Sequence, residues 1–243
     1  MRYREAPSGV FPLILAAMMW IAGTAGAEVS VSEDTAWYSG SISAEQNRQF
    51  FEAVQGRAVK RLVITSDGGE VAAGIALGLW VFENKLDIEV PEYCLSSCAN
   101  YVFPAGRHKF IGKGAVVAWH GNYHHLEQTG LWEEEVAVRM ERHGKDAVTA
   151  RAQVREEVDR LVHLEQDFFA RIGVDEYLCW IGKMPPYSVP DYYFLSKEDM
   201  ARFGVTHVHT PAGYEKAKYP GVDANVIYIK LNADKKGADH VSH

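Results

Sequence analysis

The segment "KRLVITSDGGEVAAGIALGLWVFENKLDIEV", residues 60–90, contains the pattern that decides the fold class. A short apolar strand over 60–66 leads into Gly68 and Gly69, which open a helix, and a further strand follows over 86–93. The apolar positions of the helix are Val71, Ile75, Leu79 and Phe82. Strand, helix and strand in this order predict a right-handed, parallel α/β unit.

The same alternation continues on both sides of this unit. Upstream, a strand over 36–42 precedes a helix over 44–54, for which Ser43 is the predicted N-cap and Gln46 holds the reciprocal capping-box position. Downstream, a short buried helix over 99–106 precedes an apolar strand, 114–121, that ends at His120. Because no low-complexity linker divides the chain, we expect one α/β domain over 28–230.

The two ends of the chain have a different character. Arg2 and Arg4 precede a long apolar run, and Ala25-Gly26-Ala27 supplies the small residues of a cleavage site. This pattern predicts a secretory signal over 1–27, cleaved after Ala27, and a periplasmic or secreted mature protein. An uncleaved anchor is the alternative, and only that alternative attaches the protein to a membrane. The polar tail, 231–243, is predicted to be disordered.

Cysteine and charge content limit the chemistry further. Three cysteines, Cys94, Cys98 and Cys179, permit one disulfide in an oxidising compartment. The local pair Cys94 and Cys98 is the simplest choice, although Cys179 could pair with either. The net charge of −7 disfavours nucleic acid as a partner.

Long charged helices distinguish the second half of the chain. Two are predicted, over 131–144 and 154–173, within a helical insertion around 121–172. The second has an apolar stripe at Val158, Leu161, Leu164 and Phe168. A solvated face over that stripe is the simplest interpretation. A contact between subunits of a homo-oligomer, a lid over the site and a partner-binding surface are the alternatives.

Three features with possible chemistry fall at the carboxyl ends of predicted parallel strands. Gly68 and Gly69 leave backbone amides available for an anion, Ser96 and Ser97 stand at the next strand-to-helix turn, and His120 ends an apolar strand. In isolation each has an ordinary structural explanation, such as a turn, a helix cap or a core histidine. Since α/β folds place their sites at this edge, the three together predict a site.

Several histidines raise the question of a metal site. His120, His124 and His125 lie close in sequence, and His108, His207 or His209 could complete a set. Adjacent imidazoles do not easily share one ion, and no carboxylate stands at HExxH spacing. The sequence therefore predicts neither a metal nor another cofactor.

Five segments, in this order, resemble the Clp peptidase and crotonase-like superfamily, in particular exported Clp-peptidase-like proteins of bacteria. They are the opening strand "YSGSI" (38–42), the glycine motif over 66–74, the nucleophile turn "CLSSCANYVFPAG" (94–106), "VVAWH" (116–120) and the closing "YFLSKEDMARFGVTHV" (193–208). The resemblance implies a spiral of ββα units with short parallel strands, to which the charged helical segment is added.

The resemblance also implies a serine-type peptidase or amide hydrolase acting on a peptide or protein. His120 would be the general base, and Gly68 or Gly69 would supply one oxyanion donor beside the amide that follows the nucleophile. Spacing to Ala105-Gly106 and to His120 favours Ser97 as the nucleophile. The Cys-x-Ser-x-Cys arrangement of exported relatives favours Ser96.

The acid of the triad is where the chain departs from the family pattern. The position just before Phe194 holds Tyr192 or Tyr193, and Asp191 stands one residue earlier. Either Asp191 completes a Ser-His-Asp triad or the site is a dyad. The alternative function is a catalytically inactive, Clp-like protein that holds an extended peptide.

Overall fold

A computed structural model describes residues 28–144, 146–216, 219, 222 and 224–232. The predicted signal segment, 1–27, and the tail after residue 232 lie outside these ranges. The strands are β1 Glu28–Ser32, β2 Thr35–Ser39, β3 Arg61–Thr65, β4 Asp87–Val90, β5 Tyr93–Leu95, β6 Lys109–Ile111, β7 Val116–Ala118, β8 Tyr192–Phe194, β9 Val208–His209 and β10 Val226–Tyr228. The α-helices are α1 Ala44–Val54, α2 Val71–Glu83, α3 Phe103–Ala105, α4 Tyr123–Thr129, α5 Trp132–His143, α6 Ala147–Ile172 and α7 Lys197–Ala201.

The main sheet has six strands in the order β1-β2-β3-β4-β6-β9. Every neighbouring pair is parallel except β1 and β2, which form an antiparallel pair at one edge. In register, Leu62 of β3 pairs with Ala36 on one side and Ile88 on the other, and all three are fully buried. The predicted α/β class with a mainly parallel sheet is confirmed; strand β1 had no sequence-based prediction.

Two short parallel pairs, β5 with β7 and β8 with β10, extend the sheet system. Single bridges join them to their neighbours: Ser66, just after β3, pairs with Cys94, and Trp119, just after β7, pairs with Tyr193. The carboxyl ends of β3, β5 and β7 consequently lie side by side. This is the edge at which the predicted site residues stand.

Helix α2 packs closely on the buried helical turn Cys98–Val102, which continues into α3. Gly78 makes this approach possible, because a Cβ atom there would lie 2.3 Å from the carbonyl oxygen of Tyr101. The predicted short buried helix over 99–106 is confirmed by these elements. Helix α2 is apolar on most of its surface because it is covered on several sides.

The predicted cap of α1 forms, with one difference, and α7 has a serine cap of the same kind. Ser43 accepts a hydrogen bond from the amide of Gln46 (3.2 Å), and Ser196 accepts one from the amide of Asp199 (3.1 Å). The Gln46 side chain donates to the carbonyl of Ser39 (2.8 Å). The reciprocal half of the capping box is therefore replaced by a bond to the preceding strand.

The helical segment forms its own small core between α4, α5 and α6. Its buried members are Val136, Ala150, Val154, Val158 and Val162. Helix α6 begins at Ala147, earlier than predicted, because Asp146 caps it by accepting from the amide of Thr149 (3.0 Å). Helix α4 was not predicted.

Two further observations concern the ends and the surface. Leu231, assigned to the tail by sequence, is buried, and its amide donates to Asp199 (3.2 Å). Across the described ranges, none of the helices combines the length and hydropathy that a membrane span requires.

Candidate functional site

Ser96 and His120 follow two paired strands and meet at their carboxyl ends. Leu95 pairs with Ala118 at the end of the β5–β7 ladder, and the Ser96 amide donates to the Ala118 carbonyl (3.3 Å). Ser96 Oγ lies 2.7 Å from His120 Nε2, within hydrogen-bonding distance. The serine is half-buried and the histidine is exposed at the cavity surface. The pair therefore has the contact that a nucleophile and its base require.

Ser96 occupies an uncommon backbone conformation. Its φ is +51°, in the left-handed region that few residues other than glycine and asparagine adopt. Such positions persist where the surrounding structure determines them, and they cluster at functional sites. The conformation turns the Ser96 side chain toward His120.

Ser97 has a different environment, although sequence spacing favoured it as the nucleophile. Its hydroxyl donates to the carbonyl of Gly69 (2.7 Å), and the residue is only 3% exposed. Ser97 is in the right-handed helical conformation, in contrast to the left-handed Ser96. The structure therefore places Ser96 rather than Ser97 against His120. The sequence signal for Ser96 was the Cys-x-Ser-x-Cys spacing.

A disulfide between Cys94 and Cys98 encloses the two serines. Both cysteines are fully buried, with Cα atoms 5.2 Å apart, and the predicted local pairing is confirmed. Cys179 is a free, buried thiol whose pKa is raised well above its usual value by burial. A buried thiol held in its neutral form is a poor nucleophile.

The His120 ring contacts the Tyr192 ring at an interplanar angle of 37°, with the ring centroids 4.6 Å apart. The antiparallel bridge of Trp119 to Tyr193 places Tyr192 there. Asp191 accepts a hydrogen bond from the Asn225 amide at its carboxylate (2.9 Å). Within the described residues, no carboxylate hydrogen-bonds to the His120 ring, and the structure does not bring Asp191 into a triad.

The pKa of His120 is lowered, first by desolvation, then by the positive charge of Lys183, against the opposing charge of Asp191. Lys183 is held by three carbonyls of the loop that leads to Tyr192: those of Val189 (3.2 Å), Pro190 (3.1 Å) and Asp191 (2.6 Å). The imidazole is therefore neutral near pH 7, which is the form that can accept a proton.

The glycine turn lies directly against the Ser96 turn. A Cβ atom on Gly68 (φ +98°) would lie 2.7 Å from Ser96 Cβ, and one on Gly69 (φ +143°) would lie 2.1 Å from the carbonyl oxygen of Ile42. Only glycine fits at either position. The Gly68 amide donates to Ser66 Oγ (3.1 Å), whereas the Gly69 and Ser97 amides have no acceptor in the described part of the chain.

A cavity of about 540 Å³ adjoins this pair. Strand ends and the glycine turn form one side of it, and helices α4 and α6 form the other. The residues that line it are Gly69, Glu70, Val71, Ala72, Ser96, Ser97, Asn100, Tyr101, His120, Gly121, Asn122, Tyr123, His125, Leu126, Glu157, Arg160 and Leu161. The helical insertion therefore supplies a wall of the cavity.

Glu165 supports this wall from behind and was missed by sequence reasoning. It is 0% exposed and accepts hydrogen bonds from the Tyr101 hydroxyl and from the amides of Tyr123 (3.1 Å) and His124 (2.9 Å) at the start of α4. Desolvation raises its pKa to about 7 despite these donors. The sequence did contain a signal for Glu165, because this glutamate stands on the apolar stripe of α6.

Asn100, in the same region, was also missed. It is 3% exposed, and its Nδ2 donates to the Gly121 carbonyl (2.9 Å), the residue after the histidine. The Trp119 indole donates to the Ala99 carbonyl (3.1 Å). These two bonds tie the end of the His120 strand to the helical turn that follows Ser97.

The other histidines that were considered for a metal site make different contacts. His124 Nδ1 lies 2.7 Å from Glu176, which raises the pKa of His124, and His125 stacks on Trp180. His108 lies near His207 and His209, away from this cavity. The described residues contain no group of three or more His, Cys, Asp or Glu side chains placed to hold a metal ion.

Comparison with known proteins adds little to this geometry. No protein-family model matches the chain, and no curated protein sequence matches it. Among solved structures, an enoyl-CoA hydratase from Mycobacterium avium subsp. paratuberculosis K-10 aligns with a TM-score of 0.30 and 11% identity. The alignment covers 40% of this chain and 51% of that one, so it spans about half the length of the enzyme.

Proposed function

We propose that the protein is a serine-type hydrolase of peptide or other amide bonds, with Ser96 as the nucleophile and His120 as the general base. The observation that carries the proposal is the 2.7 Å contact between Ser96 Oγ and His120 Nε2 on the wall of a cavity. The left-handed backbone of Ser96 and its position between two buried half-cystines support it. We assign the fold to the Clp/crotonase-type spiral on the motif resemblance.

The mechanism follows from this pair. Ser96 Oγ bonds to the carbonyl carbon while its proton moves to His120 Nε2. The C–N bond then breaks, His120 returns the proton to the leaving amine, and an acyl-serine remains. Water, activated by His120, cleaves that ester and restores the Ser96 hydroxyl.

The oxyanion of each tetrahedral intermediate needs donors that are not already engaged. The amides of Gly69 and Ser97 meet this condition, and both residues line the cavity. Gly68 contributes differently: its missing side chain leaves room beside the Ser97 amide, where a Cβ atom would lie 2.8 Å from that nitrogen. We therefore assign the oxyanion donors to Gly69 and Ser97.

The test is covalent labelling of the purified protein with a fluorophosphonate, followed by mass spectrometry of the adduct. We expect labelling at Ser96 that is lost in Ser96→Ala and reduced by on the order of 10³-fold or more in His120→Ala. Ser97→Ala is the matched control and should be labelled. Labelling that survives in Ser96→Ala and disappears in Ser97→Ala would contradict the assignment of the nucleophile.

A catalytically inactive peptide-binding protein is the second candidate. The observation that favours it is the His120 ring, to which no carboxylate of the described residues hydrogen-bonds. Loss of the acid from a triad lowers the rate by about 10⁴-fold in the best-studied case. Folded protein that binds peptides in the cavity but reacts with no fluorophosphonate would establish this second function.

The compartment is proposed on separate grounds. The Cys94–Cys98 disulfide agrees with an oxidising compartment, as expected of an exported protein. N-terminal sequencing of the protein recovered from its host tests the proposed cleavage after Ala27. A mature chain that begins at Met1 would contradict it.

A further inference from the structure

Helix α6 forms part of the cavity wall through Glu157, Arg160 and Leu161. Glu157 lies one turn before Arg160 and Leu161, and all three share the cavity with Ser96 and His120. Apolar side chains of Val71 and Leu126 also line it. The cavity volume, about 540 Å³, falls within the range of roughly 300–1,000 Å³ typical of ligand sites.

Arg160 differs from the other arginines of α6. Arg151 pairs with Glu133, Arg155 with Glu127 and Asp159, and Arg171 with Glu83. Among the described residues, Arg160 has neither an ion-pair partner nor a hydrogen-bond acceptor. Arg57 and Arg142 also have no ion-pair partner among the described residues, but Arg160 is the arginine that lines the cavity.

The carboxylates that share the cavity wall are already engaged. Glu157 accepts a hydrogen bond from Arg139 (2.8 Å), and Glu70 accepts one from the amide of Ala44 (3.1 Å). Neither is hydrogen-bonded to Arg160. The positive charge of Arg160 is thus left for a group that enters the cavity.

We propose that Arg160 binds a carboxylate of the substrate while its scissile carbonyl lies at Ser96. The proposal rests on the proposed function, because it places the anionic group in the same cavity as the reacting bond. A planar guanidinium binds a carboxylate through two parallel N–H···O bonds. The carboxylate can be the C-terminus of a short peptide or an acidic side chain near the cleaved bond.

Binding is measured in the Ser96→Ala background, so that the result does not depend on turnover. The probes are three peptides that carry an uncharged BODIPY dye on the N-terminal nitrogen: Ala-Leu-Ala-Ala with a free C-terminus, the same peptide as the C-terminal amide, and the amide Ala-Leu-Glu-Ala. Fluorescence anisotropy gives each dissociation constant. We expect at least one carboxylate-bearing peptide to bind about tenfold or more tightly than the neutral amide, as for a hydrogen-bonded charged pair.

In Arg160→Gln the carboxylate-bearing peptides should bind no more tightly than the neutral amide. Arg171→Gln, an exposed arginine of the same helix outside the cavity, is the matched control and should keep the tighter binding. If only the peptide with a free C-terminus binds more tightly than the neutral amide, the site recognises a terminal carboxylate. If only the glutamate peptide does, the site recognises an acidic side chain. No advantage for either peptide, no binding by any of the three, or an advantage that survives in Arg160→Gln overturns the inference.

The two proposals fail separately. If Ser96 reacts with the fluorophosphonate but Arg160→Gln leaves the peptide dissociation constants unchanged, the hydrolase stands and the carboxylate site is wrong. If Ser96 does not react but the charge preference depends on Arg160, the carboxylate site stands in a binding protein.

Discussion

The buried carboxylate of Glu165 makes the stability of this protein depend on pH in a specific way. Burial raises its pKa from an ordinary 4.5 to about 7 in the folded state. Between these values the folded protein holds a proton that the unfolded chain has released, so the free energy of unfolding falls as pH rises. Below pH 4.5 the contribution is fully present, and above about pH 7 it is lost.

The magnitude follows from the size of the shift. At 1.36 kcal/mol for each pKa unit, the change amounts to about 3 kcal/mol between pH 4 and pH 8. Glutamine has nearly the shape of protonated glutamic acid but does not titrate. We therefore expect Glu165→Gln to become more stable relative to wild type, by about 3 kcal/mol, over this interval.

Urea unfolding followed by tryptophan fluorescence, at several pH values from 4 to 8, measures this difference. Taking the difference between variant and wild type removes contributions from titrating groups that do not interact with Glu165, such as His120, and leaves a smaller contribution from His124, whose pKa the Glu165 charge raises. Glu156→Gln, at an exposed position of the same helix, is the control and should give a flat difference. A flat difference for Glu165→Gln as well would refute the reasoning.

Three further predictions concern the site and its support. Because desolvation and the charge of Lys183 lower the pKa of His120, labelling of Ser96 by fluorophosphonate should persist to a lower pH than it would with an isolated histidine as the base. Lys183→Met should shift the half-maximum of this pH profile upward, and an unchanged profile would contradict the role of Lys183. Reduction of the Cys94–Cys98 disulfide should slow the labelling of Ser96 and lower the free energy of unfolding by about 2 kcal/mol, while the circular dichroism spectrum stays native. If labelling and the native spectrum were lost together, the disulfide would not be a local brace of the serine turn. Gly78→Ala places a Cβ atom 2.3 Å from the Tyr101 carbonyl and should lower stability by about 1–3 kcal/mol, so an unaltered melting temperature would count against the close packing of α2.

Local features of the sequence were sufficient for much of the fold. Strand-helix-strand alternation over 60–90 predicted the parallel sheet, and the caps at Ser43 and Ser196 depend on bonds that span three residues. The same holds for the Cys94–Cys98 disulfide. Helix α4 escaped prediction because it is short and gains its stability from tertiary contacts, above all with the buried Glu165.

For the candidate site, too, some features could be predicted from the sequence and others could not. By itself the sequence determined that a serine turn, a glycine turn and His120 each follow a strand, because apolar patterning identifies the strands. Only the tertiary structure decided which serine faces His120, since adjacent residues in a turn point in different directions and a one-residue difference leaves the pattern unchanged. It also decided that Tyr192 contacts the imidazole, and that Glu165 lies behind the cavity wall with Tyr101, 64 residues away along the chain. Such contacts depend on how distant segments pack, and no local pattern encodes them.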